Sequence, residues 1–535
     1  MTEKCPGGQE KISPVDHQWI WIFPVSAFRW LWVPLALHLQ KRMGFKALLV
    51  VATEQDRKYY LNIADGVLGA DQVAVMPDYL AMAASGGDED EVTLINRARA
   101  YEERFGITIM RDIVQSDRHL GRGFMPGWNR LPGSHAADRS TPASVLRACF
   151  QQADYYDALA VSRPPALIVA NGSGHGVATK HVPMLCREAN VPFRSLSMGR
   201  ISSYYFWSDN EFDRNTALEK HIESFGSVSA AAIETAQKAI QPTTASVIFT
   251  KANSQDQTLI RAISNAALAL IRHAYMRIRG YSKAQHGYRS LSKAYSCLRT
   301  FSDWRYLHGP DCLSLDQLPS YRDIVFFPLQ AEPEVSIQGQ SPECSHQAVL
   351  IHEICLSLPA NALLVVKEHP VQIGRRPREI YELIKGMPNA VLVVPGESSL
   401  AIIARSRLVC TINSSAAYEA AMLGKTVAVF SHHGVINAVP HVHRIDVSEC
   451  LRKIPELLRD DDAESVVRRK LDGARAYYAI QSFCMDLTSL NMYGRSSAPV
   501  DAELDVLSNA LLESVASQIP LASLRPHPGV INAIL

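Results

Sequence analysis

No C-x-x-C pair occurs among the ten cysteines of this 535-residue chain. That absence excludes a zinc ribbon and a dithiol redox motif, and the scatter from Cys5 to Cys484 makes no disulfide framework. Buried thiols in a reducing cytoplasm are the expectation. An excess of charge of either sign is also missing: 54 Lys and Arg face 53 Asp and Glu, so no global field draws the chain to nucleic acid. Nor is there an unbroken apolar run of membrane-spanning length. The nearest, "WIWIFPVSAFRWLWVPLALHL" from Trp19 to Leu39, is interrupted by Pro24, Arg29 and Pro34. It reads as a strand over Trp19–Phe23, a turn at Pro24–Ser26 and a helix to Met43, with Gly44 as C-cap before a second strand in "KALLVVAT". It starts too late and lacks the small-residue cleavage site of a signal peptide. "ALIVANGSGHG" from Ala166 ends a strand on a glycine-rich turn, yet matches neither G-x-G-x-x-G nor the P-loop pattern.

What is present is an ordinary globular composition, 47% apolar and 20% charged, on a chain too long for one core. Short apolar strands alternate with helical patterns. In the second half "DIVFFPL", "ALLVVK", "AVLVVP", "RLVCTI" and "TVAVF" predict five strands of a parallel, doubly wound sheet. In the first half "ALIVA" and "FRSLSM" flank a helical segment in the same way. The expected organisation is an N-terminal Rossmann-like domain over residues 1–245, a basic helical linker over 246–320, a second Rossmann-like domain over 321–450 and a helical segment over 451–535. Two such domains facing a cleft, with a helical C-terminal segment, make the predicted fold class α/β, GT-B-like.

"LLVVKEHP" runs a buried strand into Lys367, Glu368 and His369 and stops it with Pro370. Ligands of open α/β sheets bind beyond the carboxyl ends of strands, so this stop is a candidate site. Lys367 and Glu368 point to opposite faces, so at most one reaches a ligand. "TINSSAAYEAAMLGK" follows a strand of the same sheet, and Asn413 or Ser414 can cap a helix ending at Gly424. A helix N-terminus with the hydroxyls of Ser414 and Ser415 suits a phosphate, and Glu419, four residues from Ser415, suits a ribose diol. Plain capping with a solvent-facing Glu419 is the simpler alternative.

Between the halves, Arg272 to Arg305 carries Arg and Lys at eight positions against the single acid Asp303, with tyrosines interleaved. Such a run is a solvated face or a surface for an anionic acceptor or anionic headgroups. No nucleic-acid motif accompanies it.

"FFPLQAEPEVSI", "LPANALLVVKEHP" and "TINSSAAYEAAMLGKTVAVF", in order over about Phe326–Phe430, resemble the capsular polysaccharide biosynthesis glycosyltransferases, including Kdo transferases that use CMP-Kdo. The resemblance implies that His369, Ser414 and Ser415 hold the donor phosphate and Glu419 the ribose. Gln330 and Glu332, just after the first strand of the domain, would face the interdomain cleft, and Lys367, flanking His369, is a further donor-site candidate. In the first half "ALIVANG" and "SDNEFDRNT" are similar to segments of the same family, implying an acceptor side near Asn171 and Arg200. Those relatives carry a Glu shortly before a Gly where this chain has "LSMGR", so the catalytic carboxylate must come from elsewhere. Asp117, Glu102 and Asp209 are the candidates.

The expected function is transfer of an acidic, Kdo-like sugar from a CMP donor to a growing glycan or glycolipid. The expected setting is the cytoplasm, at the cytoplasmic face of the membrane, with no nucleic-acid partner. No cofactor beyond the nucleotide-sugar is expected. No metal is needed in principle, because a helix N-terminus and His369 can neutralise the leaving phosphate. His432, His433, His441 and His443 show no recognised ligand spacing, so contacts to the donor are expected of that loop rather than a metal. A UDP-sugar epimerase or transferase of the same fold, and a non-catalytic glycan-binding module, are the alternatives.

Overall fold

A computed structural model describes residues 19–25, 28–85, 90–124, 140–170, 176–240, 258–280, 292–459, 462–490, 492 and 497–516. Its strands, in chain order, are β1 Trp19–Phe23, β2 Lys46–Val51, β3 Val73–Val75, β4 Pro165–Ala170, β5 Phe193–Met198, β6 Tyr204–Ser208, β7 Cys312–Leu313, β8 Asp323–Pro328, β9 Ala362–Lys367, β10 Ala390–Val393, β11 Leu408–Thr411, β12 Thr426–Val429, β13 Val442–Arg444 and β14 Met485–Asp486. The helices used below are α1 Arg29–Met43, α2 Leu259–Ile278, α3 Ser292–Leu307, α4 Ser415–Met422, α5 Ala463–Phe483 and α6 Asp501–Val515.

Two seven-stranded sheets result. The first runs β14-β6-β5-β4-β1-β2-β3 and the second β13-β12-β11-β8-β9-β10-β7. In each, two strands that are distant in sequence lie side by side where the winding reverses: β1 beside β4, and β8 beside β11. These are the crevices in which doubly wound sheets bind ligands. The architecture is the two-domain α/β, GT-B-like fold that the sequence pattern leads one to expect.

The apolar runs make strands because both sheet faces are covered. In β8, Ile324 and Phe326 enter one core while Val325 and Phe327 enter the other, and β9 divides Leu363 and Val365 from Leu364 and Val366 in the same way. The Trp19–Leu39 segment resolves into β1 and α1, with Gly44 at φ 71° closing the helix. Helix α1 is apolar almost all round because the sheet covers one side and α6 the other, with Leu504, Leu507 and Leu511 in the same core as Trp32 and Leu35. Among the described residues no helix is long and apolar enough to cross a membrane.

The C-terminal segment, expected to be helical, also adds a strand to the first sheet. Its β14 pairs antiparallel with β6, after α5 has packed against the second domain's core through Ala474, Tyr477 and Ile480. Polar hydrogen bonds link the two domains. Gly434 N–H donates to the Phe212 carbonyl (3.0 Å), Gln340 Nε2 to the Glu211 carbonyl (3.2 Å), and Gln338 Nε2 to the Gln115 carbonyl (3.1 Å).

Candidate active site

The strands β9, β8 and β11 are parallel neighbours, so the segments following them share one rim of the second sheet. Gln330, just beyond β8, organises that rim. Its carboxamide Nε2 donates to Asn413 Oδ1 (2.6 Å), while Oε1 accepts from the backbone N–H groups of Asn413 (2.9 Å) and Ser414 (3.0 Å). Ser414 in turn caps α4, its hydroxyl accepting from Ala416 N–H (3.3 Å) and bonding Thr411 Oγ1 (2.8 Å). Gln330 therefore shapes the entry to α4. The hydroxyl exposed at the helix start is that of Ser415, which also bonds the Glu419 carboxyl.

Strand alternation sorts the three ionisable residues at the end of β9. Lys367 falls on the face that α4 covers, near enough to Glu419 for each to feel the other's charge. Burial pushes the Lys367 ammonium down and the Glu419 carboxyl up, each partly opposed by the other's charge. His369 is half-buried and caps the short helix Pro370–Gln372, its Nδ1 accepting from Val371 N–H (3.3 Å). That bond leaves the proton on Nε2, and burial holds the ring's pKa below its ordinary value. His369 is thus a neutral donor near pH 7.

Glu368 falls on the opposite face, inside a buried ion-pair cluster. Arg376, with no exposed surface, donates through Nε to Glu368 Oε2, through Nη1 to Glu332 Oε2 and through Nη2 to the Gln330 carbonyl, each at 2.6 Å. Tyr381 donates its hydroxyl to Glu368 Oε2 (2.6 Å), and the N–H of His369 donates to Glu368 Oε1 (2.5 Å). Glu332 therefore does not face the cleft as expected. It is 3% exposed and is held by Arg376 and Gln347, because an unpaired carboxylate there would be costly. The cluster stands behind the rim and fixes the backbone of both His369 and Gln330.

In the first domain the three candidate carboxylates serve local backbone. Asp117 is buried; Oδ1 accepts from the N–H groups of His119 (2.8 Å) and Leu120 (3.0 Å), and Oδ2 from Val177 N–H (3.2 Å). Glu102 accepts from Ile109 N–H (2.7 Å) and Asp209 from Thr216 N–H (2.9 Å). Each is engaged as an acceptor of backbone N–H groups within the first domain. Asn171 lies outside the described residues.

The carboxylate at the domain junction is Asp213, inside the "SDNEFDRNT" stretch but not among the residues expected. Ser197 Oγ donates to Asp213 Oδ1 (2.7 Å), and His433 Nε2, from the second domain, lies 2.9 Å from Oδ2. Burial would raise this carboxyl, but the hydrogen bonds from His433 and Ser197 and the charge of Arg200 outweigh it and hold it well below the usual carboxylate range. Asp213 and Arg200 both adopt positive φ, 51° and 59°, a backbone state that non-glycine residues keep only where surroundings impose it. Arg200 thus joins this junction. Of the histidines, His433 pairs with Asp213, while His441 is buried and bonds the Ala421 carbonyl (2.9 Å). These two do not converge, and no group of three His, Cys, Asp or Glu able to hold a metal is found among the described residues.

The sequence profile of capsule polysaccharide biosynthesis proteins matches residues 180–518, well over half of the chain. The chain belongs to that family. Both sheets contribute to the matched region, which holds the rim of the second domain and the Asp213–His433 junction. No curated protein matches. Among solved structures, the chain is similar to UDP-GlcNAc 2-epimerase from Neisseria meningitidis, at 10% identity and a TM-score of 0.28, over 92% of this chain and 99% of that one. It is also similar to two structures of KpsC from Thermosulfurimonas dismutans. The β-Kdo 2,4-transferase matches at 15% identity and a TM-score of 0.30 over 58% of this chain and 79% of that one. The β-Kdo 2,7-transferase matches at 14% and 0.29 over 59% and 80%. At these scores the structural similarities bear no weight; the fold rests on the sheet topology and the family on the profile match.

Proposed function

We propose that this member of the capsule polysaccharide biosynthesis family is a glycosyltransferase that moves an acidic, Kdo-like sugar from a CMP donor to a glycan or glycolipid acceptor. The observation that carries the proposal is the rim of the second sheet, where the end of β9, the Gln330-braced loop and the start of α4 meet beside the β8/β11 crevice. The donor phosphate sits against the N-terminus of α4, with the hydroxyl of Ser415 and the Nε2–H of His369 as donors and Lys367 as countercharge. Glu419 accepts from the ribose hydroxyls. Departure of CMP leaves negative charge on the phosphate, and donors already fixed in place stabilise that charge without reorganisation.

Asp213 and His433 handle the acceptor proton. Asp213, held ionised, orients the His433 ring by accepting from Nε2–H and leaves Nδ1 as the basic nitrogen. The acceptor hydroxyl gives its proton to that nitrogen, its oxygen bonds the anomeric carbon, and the bond from that carbon to the CMP phosphate oxygen breaks.

The test is incubation of the purified chain with CMP-Kdo and a capsular oligosaccharide or glycolipid, following release of CMP and the mass of the product. Acceptor-dependent CMP release supports the reading. Turnover of UDP-N-acetylglucosamine with CMP-Kdo left intact would overturn it and favour a UDP-sugar enzyme.

A further inference from the structure

Among the described residues, helix α2 is covered on one side only. Ala266 and Ala269, on one stripe with the buried Ala262, pack against Ala294 and Cys297 of α3. On the opposite stripe Ile260, Ile271 and Ile278 are 79%, 66% and 85% exposed, flanked by Ile263, Leu270 and Tyr275, which are also exposed. A folded soluble chain rarely leaves so continuous a row of large apolar side chains in water, and such a row marks an interaction surface. At 20 residues the helix is about 30 Å long, so the row is extended and nearly straight.

The charge around it is of one sign. From Thr258 to Ser302 the sequence has no Asp or Glu. The described part of that stretch carries Arg261, Arg272, Arg277, Arg279 and Lys293 on and beside the hairpin of α2 and α3. On a helical projection Arg277 borders the apolar arc on one side and Arg261 and Arg272 on the other. The long stems of arginines at the edge of an apolar face let the guanidinium groups reach outward while the stem remains in contact with it. Toward its C-terminus α3 is fixed to the second domain: Arg299 pairs with buried Asp303 and donates to the Arg376 carbonyl. The hairpin is therefore held on the body of the protein with its apolar face outward.

We infer that the Ile260–Ile271–Ile278 face of α2 docks on an anionic lipid bilayer, lying in the interface with its arginines among the headgroups. A helix with a wide apolar face, a cationic border and no acidic residue has the two attractions that hold an interfacial helix: burial of apolar area, and attraction to anionic lipid. A protein partner of ordinary mixed charge would not account for the complete exclusion of acids. The inference stands independently of the donor-site reading.

Flotation of the full chain with vesicles tests it, comparing phosphatidylcholine alone with phosphatidylcholine containing 30 mol%, roughly a third, phosphatidylglycerol. The wild type is expected to float with the anionic vesicles and far less with the neutral ones, and to dissociate progressively as salt rises. The triple variant Ile260→Asp/Ile271→Asp/Ile278→Asp should lose at least about tenfold in binding with an unchanged melting temperature, because these side chains are exposed in the folded state. The milder Ile271→Ser/Ile278→Ser variant should show an intermediate loss and covers the case in which the triple variant folds poorly. Absence of wild-type binding, or equal binding by the variants, would overturn the inference. So would a dimer, detected by light scattering, that the same substitutions dissolve, because the face would then belong to a second copy of the chain.

Discussion

Arg376 and Glu368 form an ion pair of 2.6 Å with neither side chain exposed, directly behind the backbone of His369. The same guanidinium holds Glu332 and the Gln330 carbonyl. Two segments of the rim are thereby registered to each other by one buried side chain. Removing a single partner from such a cluster leaves uncompensated charge in the interior. Arg376→Met is therefore expected to lower unfolding free energy by about 3–5 kcal/mol, read as a drop in the urea midpoint at constant slope. A loss below about 1 kcal/mol would mean that the two glutamates are solvated or protonated without it.

Asp213 bridges the domains through His433 and is ionised over the whole working range of pH. Asp213→Asn keeps the shape but loses the charge that orients the imidazole. Turnover is expected to fall about 10²- to 10⁴-fold while nucleotide still stabilises the protein. Unchanged turnover would remove Asp213 and His433 from the chemistry.

Burial pushes the His441 imidazole down to about 4. The unfolded chain, with an ordinary histidine pKa near 6.5, binds this proton first as pH falls. Below pH 6.5 the unfolded state therefore holds more protons, and stability falls with pH until the folded value is reached. Between pH 6.5 and 5 His441 should account for about 2 kcal/mol of that loss. Denaturant titrations at the two pH values check this: the decline should be smaller by that amount in His441→Gln, and an equal decline in both proteins would contradict it.

The strands of the second domain were legible because the run from Leu363 to Val366 is apolar on both faces, which only a doubly covered sheet accommodates. The breakers Pro24, Arg29 and Pro34 likewise betrayed a strand and helix rather than a span. The ion-pair cluster was not legible, because Glu332, Glu368 and Arg376 come together only when β8 and β9 pair and the chain folds back beyond Pro370. Glu332 therefore looked like a cleft residue from its position after a strand. Asp213 and His433 are 220 residues apart, and nothing local distinguishes Asp213 from Asp209 in the same acidic stretch. Strand β14 was hidden for another reason: two residues carry no periodicity, and the antiparallel pairing with β6 is decided by where α5 delivers the chain.

The most direct test of the donor site is the change in melting temperature on adding CMP, UDP or GDP to wild type, His369→Ala and Glu419→Gln. A ligand that binds only the folded state raises that temperature, the more so the further its concentration exceeds its Kd. Stabilisation by CMP is expected in the wild type, with weak or absent stabilisation by UDP and GDP and loss of the CMP effect in both variants. Stabilisation by UDP instead of CMP, or a CMP shift that survives both substitutions, would contradict a CMP-sugar site at the His369–Ser415–Glu419 rim.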